Sequence, residues 1–219
     1  KTALALNIAT NVAKADNAAM FCSHEMVVPE LMSRILSNDA RVPGVVMETG
    51  RLDEVHYAKL MPSGARIGAL PLFFASNPPR TIPALMAEAQ NMKRKHGLKL
   101  LVVDYLQLMD ATETKKNREQ AVSEVSRGLK RIAMELGICV LALSQLNRQS
   151  DRNSEPQLSE LRESGALEQD ANSVLMIWAE RDDASEVCGK VAKNRSGQVG
   201  AFSLTFRRAI QRFENPNGL

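Results

Sequence analysis

Short, continuously apolar runs that alternate with long amphipathic helices constrain the fold of this chain more than any other feature. The run at 138–143 is wholly apolar, and the run at 98–104 is apolar apart from Lys99 and the terminal Asp104; each follows a predicted helix, at 118–136 and at 82–96. Strands without polar residues are typical of a parallel sheet that helices cover on both faces. A β-rich stretch follows residue 173. We therefore predict an α/β fold with a mostly parallel central sheet, flanking helices and a carboxyl-terminal part rich in β-hairpins.

The composition excludes several other classes of protein. Of the 219 residues, 44% are hydrophobic and 24% are charged, which argues against disorder, collagen and coiled coil. The net charge is only +3, so the overall balance indicates no particular partner. The three cysteines share no CxxC spacing, and we expect reduced thiols in or near the core and a cytoplasmic location. No apolar stretch reaches the roughly 18 residues of a membrane span.

The chain opens with Lys1 and Thr2, directly before a helical pattern at 2–14. In a phosphate-binding loop, G-x-x-x-x-G-K-[ST], the last two residues are a lysine and a serine or threonine, and they open a helix. We interpret Lys1 and Thr2 as the end of such a loop, whose glycines would precede residue 1. A lysine and threonine before a helix are a weak signal without support from the rest of the chain.

Polar residues at three strand ends give that support. Glu25 follows the strand that ends at Ser23, Asp104 ends the next buried strand, and Gln145 follows a third. The carboxyl ends of parallel strands are where ligands bind in α/β sheets. A glutamate there is suited to polarising water, an aspartate to holding Mg²⁺, and a glutamine to sensing a phosphate or contacting a neighbouring loop.

Four longer motifs make the chain resemble the carboxyl-terminal, RecA-like motor domain of the bacterial replicative DNA helicases, the DnaB family. They are VVDYLQLM at 102–109, SQLNR at 144–148, LRESGALEQDAN at 161–172 and KNRSGQVG at 193–200. The resemblance extends to about residue 215, although the family often has leucine where this chain has His24. It implies a RecA-like P-loop NTPase fold. Residues 1–219 would form a single ATPase domain, cut inside the phosphate loop and without the family's amino-terminal collar domain.

The resemblance also implies ATP and Mg²⁺ as cofactors and assigns roles at the strand ends. Lys1 would contact the β- and γ-phosphates, and Thr2 and Asp104 would hold Mg²⁺. Glu25 would align the attacking water, and Gln145 would be the sensor of the γ-phosphate.

A basic stretch predicts contacts between subunits. Residues 187–213 contain six basic residues and no acid, and Lys193 and Arg195 lie two apart, so we expect their side chains on one face. The resemblance implies that they act as an arginine finger and its companion lysine on a neighbouring subunit's ATP. The chain would then work as a closed homo-oligomeric ring, a hexamer. Arg34 is a further candidate for contact near the phosphates.

The predicted DNA contacts come from the resemblance. Aromatic residues make up only 4% of the chain, which argues against a platform for base stacking. The family instead holds the backbone phosphates of single-stranded DNA with loops, and Arg162, Glu163 and Gly165 match one of them. The polar loop at 149–157 is a second candidate. Primase and a helicase loader are further implied partners, and a membrane is not.

The leading hypothesis is therefore an ATP-dependent replicative DNA helicase motor. One alternative is a RecA-like recombinase or another DNA-dependent ATPase, and another is a non-catalytic fragment that docks a partner. The missing glycines favour this last alternative for the chain by itself. No GxGxxG follows a predicted strand, so a dinucleotide-dependent oxidoreductase is rejected. His24, His56 and His96 have no metal-ligand spacing.

Overall fold

The computed structural model describes residues 1–109, 118–145, 155–158, 160–161, 165–181 and 183–216. Its helices are α1 (Thr2–Lys14), α2 (Val28–Ala40), α3 (Gly44–Glu48), α4 (Glu54–Gly68), α5 (Ile82–His96), α6 (Arg118–Leu136) and α7 (Gly165–Asp170). Its strands are β1 (Ala19–Ser23), β2 (Leu72–Phe74), β3 (Leu100–Asp104), β4 (Cys139–Ala142), β5 (Ser173–Trp178), β6 (Glu186–Asn194), β7 (Gly200–Arg207) and β8 (Arg212–Glu214). Within these residues no helix is long and apolar enough to cross a membrane.

The first four strands form a parallel sheet in the order β2-β1-β3-β4. Strands β1 and β3 lie at its centre and are buried at every position. Alternate residues of each strand face opposite layers, as the two-residue period requires. Phe21 and Val102 belong to a core with α1 and α2, whereas Cys22 and Val103 belong to a core with α5 and α6. The predicted parallel sheet with helices on both faces is confirmed.

The last four strands form a separate antiparallel sheet in the order β5-β6-β7-β8. Close packing inside it requires a glycine on β6. A Cβ atom at Gly189 would come within 2.3 Å of the Phe202 ring on β7. The antiparallel pairing of these four strands confirms the predicted hairpin-rich carboxyl-terminal part.

Two asparagines attach this second sheet to α1 and α2. The side-chain amides of Asn7 and Asn38 both donate to the carbonyl oxygen of Gln211, over 3.0 and 3.1 Å. Oδ1 of Asn7 also accepts the backbone N–H of Phe213 on β8, over 3.0 Å. The helix that opens at Lys1 is thus bound directly to the end of the antiparallel sheet.

One segment that the sequence predicts as a loop is a helix. Pro62 favours a loop at 62–68, because proline lacks the N–H that a helix interior needs. Instead α4 continues through Pro62 to Gly68. Ser63 and Ile67 are buried beyond the proline, and the Ser63 hydroxyl donates to Asp39 of α2 over 2.8 Å. Tertiary contacts on one face therefore outweigh the single lost backbone hydrogen bond.

The cysteine prediction is only partly right. Cys22 is buried on β1 and Cys188 is half-buried on β6, but Cys139 is exposed. Cys139 opens β4, and β4 is an edge strand of the parallel sheet in the described residues. The apolar run therefore predicted the strand correctly, but it did not predict that the strand is partly exposed to solvent.

Candidate active site

The start of α1 meets the carboxyl-terminal edge of the parallel sheet. The hydroxyl of Thr2 donates to Oδ2 of Asp104 over 2.8 Å. Asp104 is the last residue of β3 and is only 1% exposed, because β3 lies between β1 and β4. A buried carboxylate costs free energy unless it is hydrogen-bonded, so this contact stabilises Asp104 and fixes Thr2 beside it.

Lys1 lies over the same edge. Its ammonium donates to the carbonyl oxygen of Ser144, after β4, over 3.2 Å, and lies 5.3 Å from the ring centroid of Tyr105. Partial desolvation lowers the pKa of the Lys1 ammonium, and the nearby carboxylates of Asp104 and Glu25 oppose this shift. The predicted lysine and both predicted carboxylates thus share one electrostatic neighbourhood.

Strand register places Glu25. Ser23 pairs with Asp104 across β1 and β3, and the backbone N–H of His24 donates to the Asp104 carbonyl oxygen over 2.7 Å. The turn that follows is held by Ser23, whose hydroxyl accepts the backbone N–H of Met26 over 2.9 Å. Glu25 is therefore two residues beyond the sheet, exposed to solvent on the Lys1 side.

A residue without a predicted role holds Gln145 in place. Gln107 follows Asp104 in a 3₁₀ turn at Leu106–Leu108, and its amide nitrogen donates to the Ser144 hydroxyl over 2.7 Å. Its Oε1 lies 3.5 Å from the backbone nitrogen of Gln145. Gln107 therefore joins the end of the Asp104 strand to the end of the Gln145 strand. Both residues lie in motifs that the sequence singles out, but nothing in the spacing of those motifs indicates this pairing.

Arg34 lies to one side of this edge. It is half-buried on α2 and lines a cavity of about 90 Å³ with Asn7 of α1 and Arg212 of β8. It also lies near the start of α1. The structure thus places Arg34 near the start of α1, without a hydrogen bond to Thr2 or Asp104 in the described residues.

Lys193 and Arg195 lie at a different place, the carboxyl end of α7. Lys193 donates to the carbonyl oxygens of Glu168 and Gln169, and the Arg195 guanidinium donates to the same Gln169 oxygen. Arg195 follows the end of β6, so the two residues are not both on the strand. Both side chains nevertheless donate to the carbonyl oxygen of Gln169.

Acids from outside the basic stretch neutralise part of its charge. Lys190 pairs with Glu155 over 2.5 Å. Arg207 and Arg212 both pair with Glu214, over 2.5 and 3.0 Å. The sequence count of six basic residues and no acid therefore overstates the local positive charge.

The predicted DNA contacts are described only in part. Arg162 and Glu163 lie outside the described residues, as does most of the 149–157 loop. Gly165 is the first residue of α7 and is exposed.

A family model described as "DnaB-like helicase C terminal domain" matches residues 1–215. The chain belongs to that family. The replicative DNA helicase DnaB of Rickettsia bellii is 36% identical over 255 residues, which cover 98% of this chain and 51% of the relative. The replicative DNA helicase DnaC of Bacillus subtilis is also 36% identical, over 225 residues that cover 98% and 50%. The chain thus spans about half the length of the curated relatives it matches.

Solved structures of similar proteins show the same fold. One of them, described by its title as an ATPase domain, has a TM-score of 0.92 and 31% identity, covering 98% of this chain and 80% of that one. Another is titled "The Structure Of A DnaB-Like Replicative Helicase And Its Interactions With Primase". It has a TM-score of 0.91 and 30% identity, covering 97% of this chain and 54% of that one. The predicted family and the RecA-like fold are confirmed.

Proposed function

We propose that residues 1–219 form a single motor domain of a replicative DNA helicase, which hydrolyses ATP to translocate on single-stranded DNA and unwind duplex. The observation that carries the proposal is the hydrogen bond between Thr2 and the buried Asp104, with Lys1 held beside it. Membership of the DnaB-like helicase family supports the same function. A non-catalytic docking fragment would have no need of this preorganised edge.

The residues at this edge fit Mg²⁺ and a nucleoside triphosphate. Mg²⁺ prefers hard oxygen ligands, and the Thr2 hydroxyl and the Asp104 carboxylate supply two of them at one place. Lys1 provides a point charge for the β- and γ-phosphates. ATP supplies the phosphoryl group that is transferred. Glu25 orients the water that attacks it, a task that suits a carboxylate exposed at the sheet edge.

The pair Lys193 and Arg195 serves a neighbouring subunit. Arg195 is exposed, and its guanidinium donates to a single carbonyl oxygen in the described residues, so most of its donors are available to a phosphate. A site built from two subunits requires a head-to-tail contact, which forms a ring when the rotation between subunits closes and an open filament when it does not. We propose a hexamer in which Arg195 is the arginine finger, Lys193 its companion, Gln145 the sensor, and Arg34 a further phosphate contact.

Single-stranded DNA is the proposed track. Arg162 would neutralise a backbone phosphate, Glu163 would orient Arg162, and Gly165 would let the backbone approach closely. Primase is a proposed partner, because a similar helicase is titled by its interactions with primase. We also propose a helicase loader as a second partner and the cytoplasm as the location.

Mixed rings test the proposal in the intact protein. Arg195→Ala subunits and Glu25→Gln subunits should each fail to hydrolyse ATP, with losses of about 10³–10⁵-fold for the arginine. Mixed rings contain interfaces with an intact Glu25 on one side and an intact Arg195 on the other. We expect these interfaces to recover partial, DNA-independent ATPase activity.

The control is Arg208→Ala, which removes another arginine of the basic stretch, one whose guanidinium lies 5.6 Å from the ring centroid of Phe206. This variant should hydrolyse ATP without mixing. Confirmed mixed rings that recover no activity would show that Arg195 does not act on a neighbour's nucleotide.

A further inference from the structure

Two groups from neighbouring strands hold the Lys1 ammonium in the described part of the chain. The ammonium donates to the carbonyl oxygen of Ser144, just beyond the end of β4, over 3.2 Å. It also lies over the ring of Tyr105, the residue after β3, at 5.3 Å from the ring centroid. A cation within about 6 Å of an aromatic centroid is attracted by the negative face of the ring. Tyr105 thus interacts directly with the lysine that we assign to the phosphates of ATP.

The fold sets the position of the Tyr105 ring independently of Lys1. The Tyr105 carbonyl oxygen accepts the backbone N–H of Leu108 over 3.1 Å. The backbone N–H of the next residue, Leu106, donates to the carbonyl oxygen of Leu143 over 3.1 Å. The Tyr105 side chain is half-buried and packs against the core that contains Phe21 and Leu143. The ring therefore provides a fixed surface at the sheet edge, on which a flexible side chain can be ordered.

An aromatic face is well suited to ordering a lysine that must bind phosphate. The lysine ammonium lies at the end of a flexible four-carbon chain, and ordering that chain costs conformational entropy. A partner that already restricts the side chain lowers the cost that remains when a ligand binds. A carboxylate partner would occupy N–H donors and cancel the charge. The ring leaves the charge in place, and only one of the three N–H donors is used by Ser144.

The surroundings of the ammonium strengthen its interaction with the ring. Burial removes part of its water shell and lowers the pKa of Lys1. A cation–π interaction is weak for a fully hydrated cation and stronger for a partly desolvated one. The carboxylates of Asp104 and Glu25 attract Lys1 from a distance, but neither accepts a hydrogen bond from it in the described residues. The ring and the Ser144 carbonyl oxygen therefore make its direct contacts there.

We propose that Tyr105 is a positioning residue for Lys1, whose aromatic face holds the ammonium where the β- and γ-phosphates of ATP bind. The inference rests on the proposed function, which assigns Lys1 to those phosphates. Tyr105 acts through Lys1, and it acts through its ring and not through its hydroxyl. A phenylalanine should therefore replace it, whereas an aliphatic side chain of similar size should not.

A series of rings of nearly constant shape at this position separates attraction of the cation from packing. Tyr105→Phe is the starting variant. Mono-, di- and trifluorophenylalanine are then introduced at the same position, because each fluorine withdraws negative charge from the ring face and changes its size little. The measurement is the affinity of the intact protein for ATP–Mg²⁺, by titration with a fluorescent ATP analogue. The rate of ATP hydrolysis and the thermal unfolding midpoint are measured on the same samples.

We expect Tyr105→Phe to bind ATP nearly as tightly as the unsubstituted protein. Each added fluorine should then weaken binding, to a total of about two- to tenfold for the trifluorinated ring, with little change in the unfolding midpoint. Tyr105→Leu should weaken binding at least as much. Trifluorophenylalanine in place of Phe74 is the matched control, because Phe74 packs against the same core and its ring lies beside Phe21. This control should leave ATP affinity unchanged.

ATP affinity that does not depend on the number of fluorines would overturn the proposal, even if Tyr105→Leu weakens binding, since the ring would then act by packing alone. An equal loss in the Phe74 control would contradict it in the same way. If the unsubstituted protein hydrolyses ATP and the series is flat, the positioning role fails and the proposed function stands. If that protein binds ATP without hydrolysing it, the proposed function fails, and the graded affinities still decide the role of Tyr105. If it binds no ATP, both fail.

Discussion

The hydroxyl of Thr2 and the carboxylate of Asp104 form a 2.8 Å hydrogen bond, although 102 positions separate the two residues in the chain. The bond joins the start of α1 to the tip of a strand that is buried at every position. It brings a hydroxyl and a carboxylate, two groups of the kind that Mg²⁺ prefers as ligands, to the point where the Lys1 ammonium lies over the sheet edge.

This contact predicts how ATP affinity depends on the metal. Asp104→Asn keeps the shape of the side chain but removes the negative charge, so Mg²⁺ should no longer strengthen nucleotide binding. We expect ATP affinity measured with Mg²⁺ to fall about ten- to hundredfold, toward the value measured in EDTA. Titration of a fluorescent ATP analogue with and without EDTA is the measurement. Asp183→Asn, in an exposed turn, should keep the full effect of the metal.

Gln107 should act through Gln145. Gln107→Leu removes the hydrogen bond to the Ser144 hydroxyl and should lower DNA-stimulated ATPase activity about two- to tenfold. Because Gln107 holds the backbone at Gln145, adding Gln145→Ala to Gln107→Leu should cause little further loss. Additive losses in this double-mutant cycle would contradict the link. Gln90→Leu, on the exposed face of α5, is the control.

Arg162 should contribute electrostatically and without base preference. Arg162→Ala should weaken single-stranded DNA binding about equally for all sequences. It should also reduce the slope of log affinity against log salt by about 0.7 for each contact removed from a single strand. Anisotropy titrations over a salt series test this. Arg181→Ala, in an exposed turn, should leave the slope unchanged. If Arg162→Ala leaves the slope unchanged, Arg162 does not contact the DNA backbone and the DNA-binding site lies elsewhere.

The Asp39 cluster predicts a pH dependence of stability. Burial raises the pKa of Asp39, but hydrogen bonds from Lys14, Arg66 and Ser63 outweigh it and lower the pKa from 3.8 to about 2. Because the folded value is the lower one, the stabilisation is complete above the unfolded value of 3.8 and is lost as pH falls toward 2.

Asp39→Asn should therefore lower the free energy of unfolding near pH 7 by about 1–2 kcal/mol, since two of the three donors are solvent-exposed. The difference from the unsubstituted protein should shrink between about pH 4 and pH 2. Urea titrations across this range measure it. Asp16→Asn, at an exposed position with φ of 56°, should show no comparable effect. A difference that does not change with pH would exclude charge as its cause.

Sequence periodicity predicted the elements with strong patterns well. The bounds of α1, α5 and α6 agree with the structure, and the three polar strand ends lie on the edge where parallel strands place them. Periodicity could not predict that α4 passes through Pro62, because burial of Ser63 and Ile67 decides it. Local rules describe a residue's neighbours in sequence and not those in space.

The contacts that the sequence missed are long-range polar ones. Gln107 and Ser144 are 37 positions apart, and Lys193 is 25 positions from the Glu168 carbonyl oxygen. Such pairs depend on how strands and helices are assembled, and polar side chains carry no periodic signal of their partners. The motifs located the right segments, and the tertiary structure assigned the contacts within them.

Glu25→Gln tests the central claim, that this sheet edge hydrolyses ATP, most directly. In the intact protein, ATP–Mg²⁺ binding and single-turnover hydrolysis should be measured on the same sample, with Glu30→Gln at the exposed start of α2 as the matched control. We predict nearly unchanged binding and at least about a hundredfold slower hydrolysis, since the carboxylate orients water and does not hold the nucleotide. Hydrolysis at the normal rate by Glu25→Gln would contradict the account.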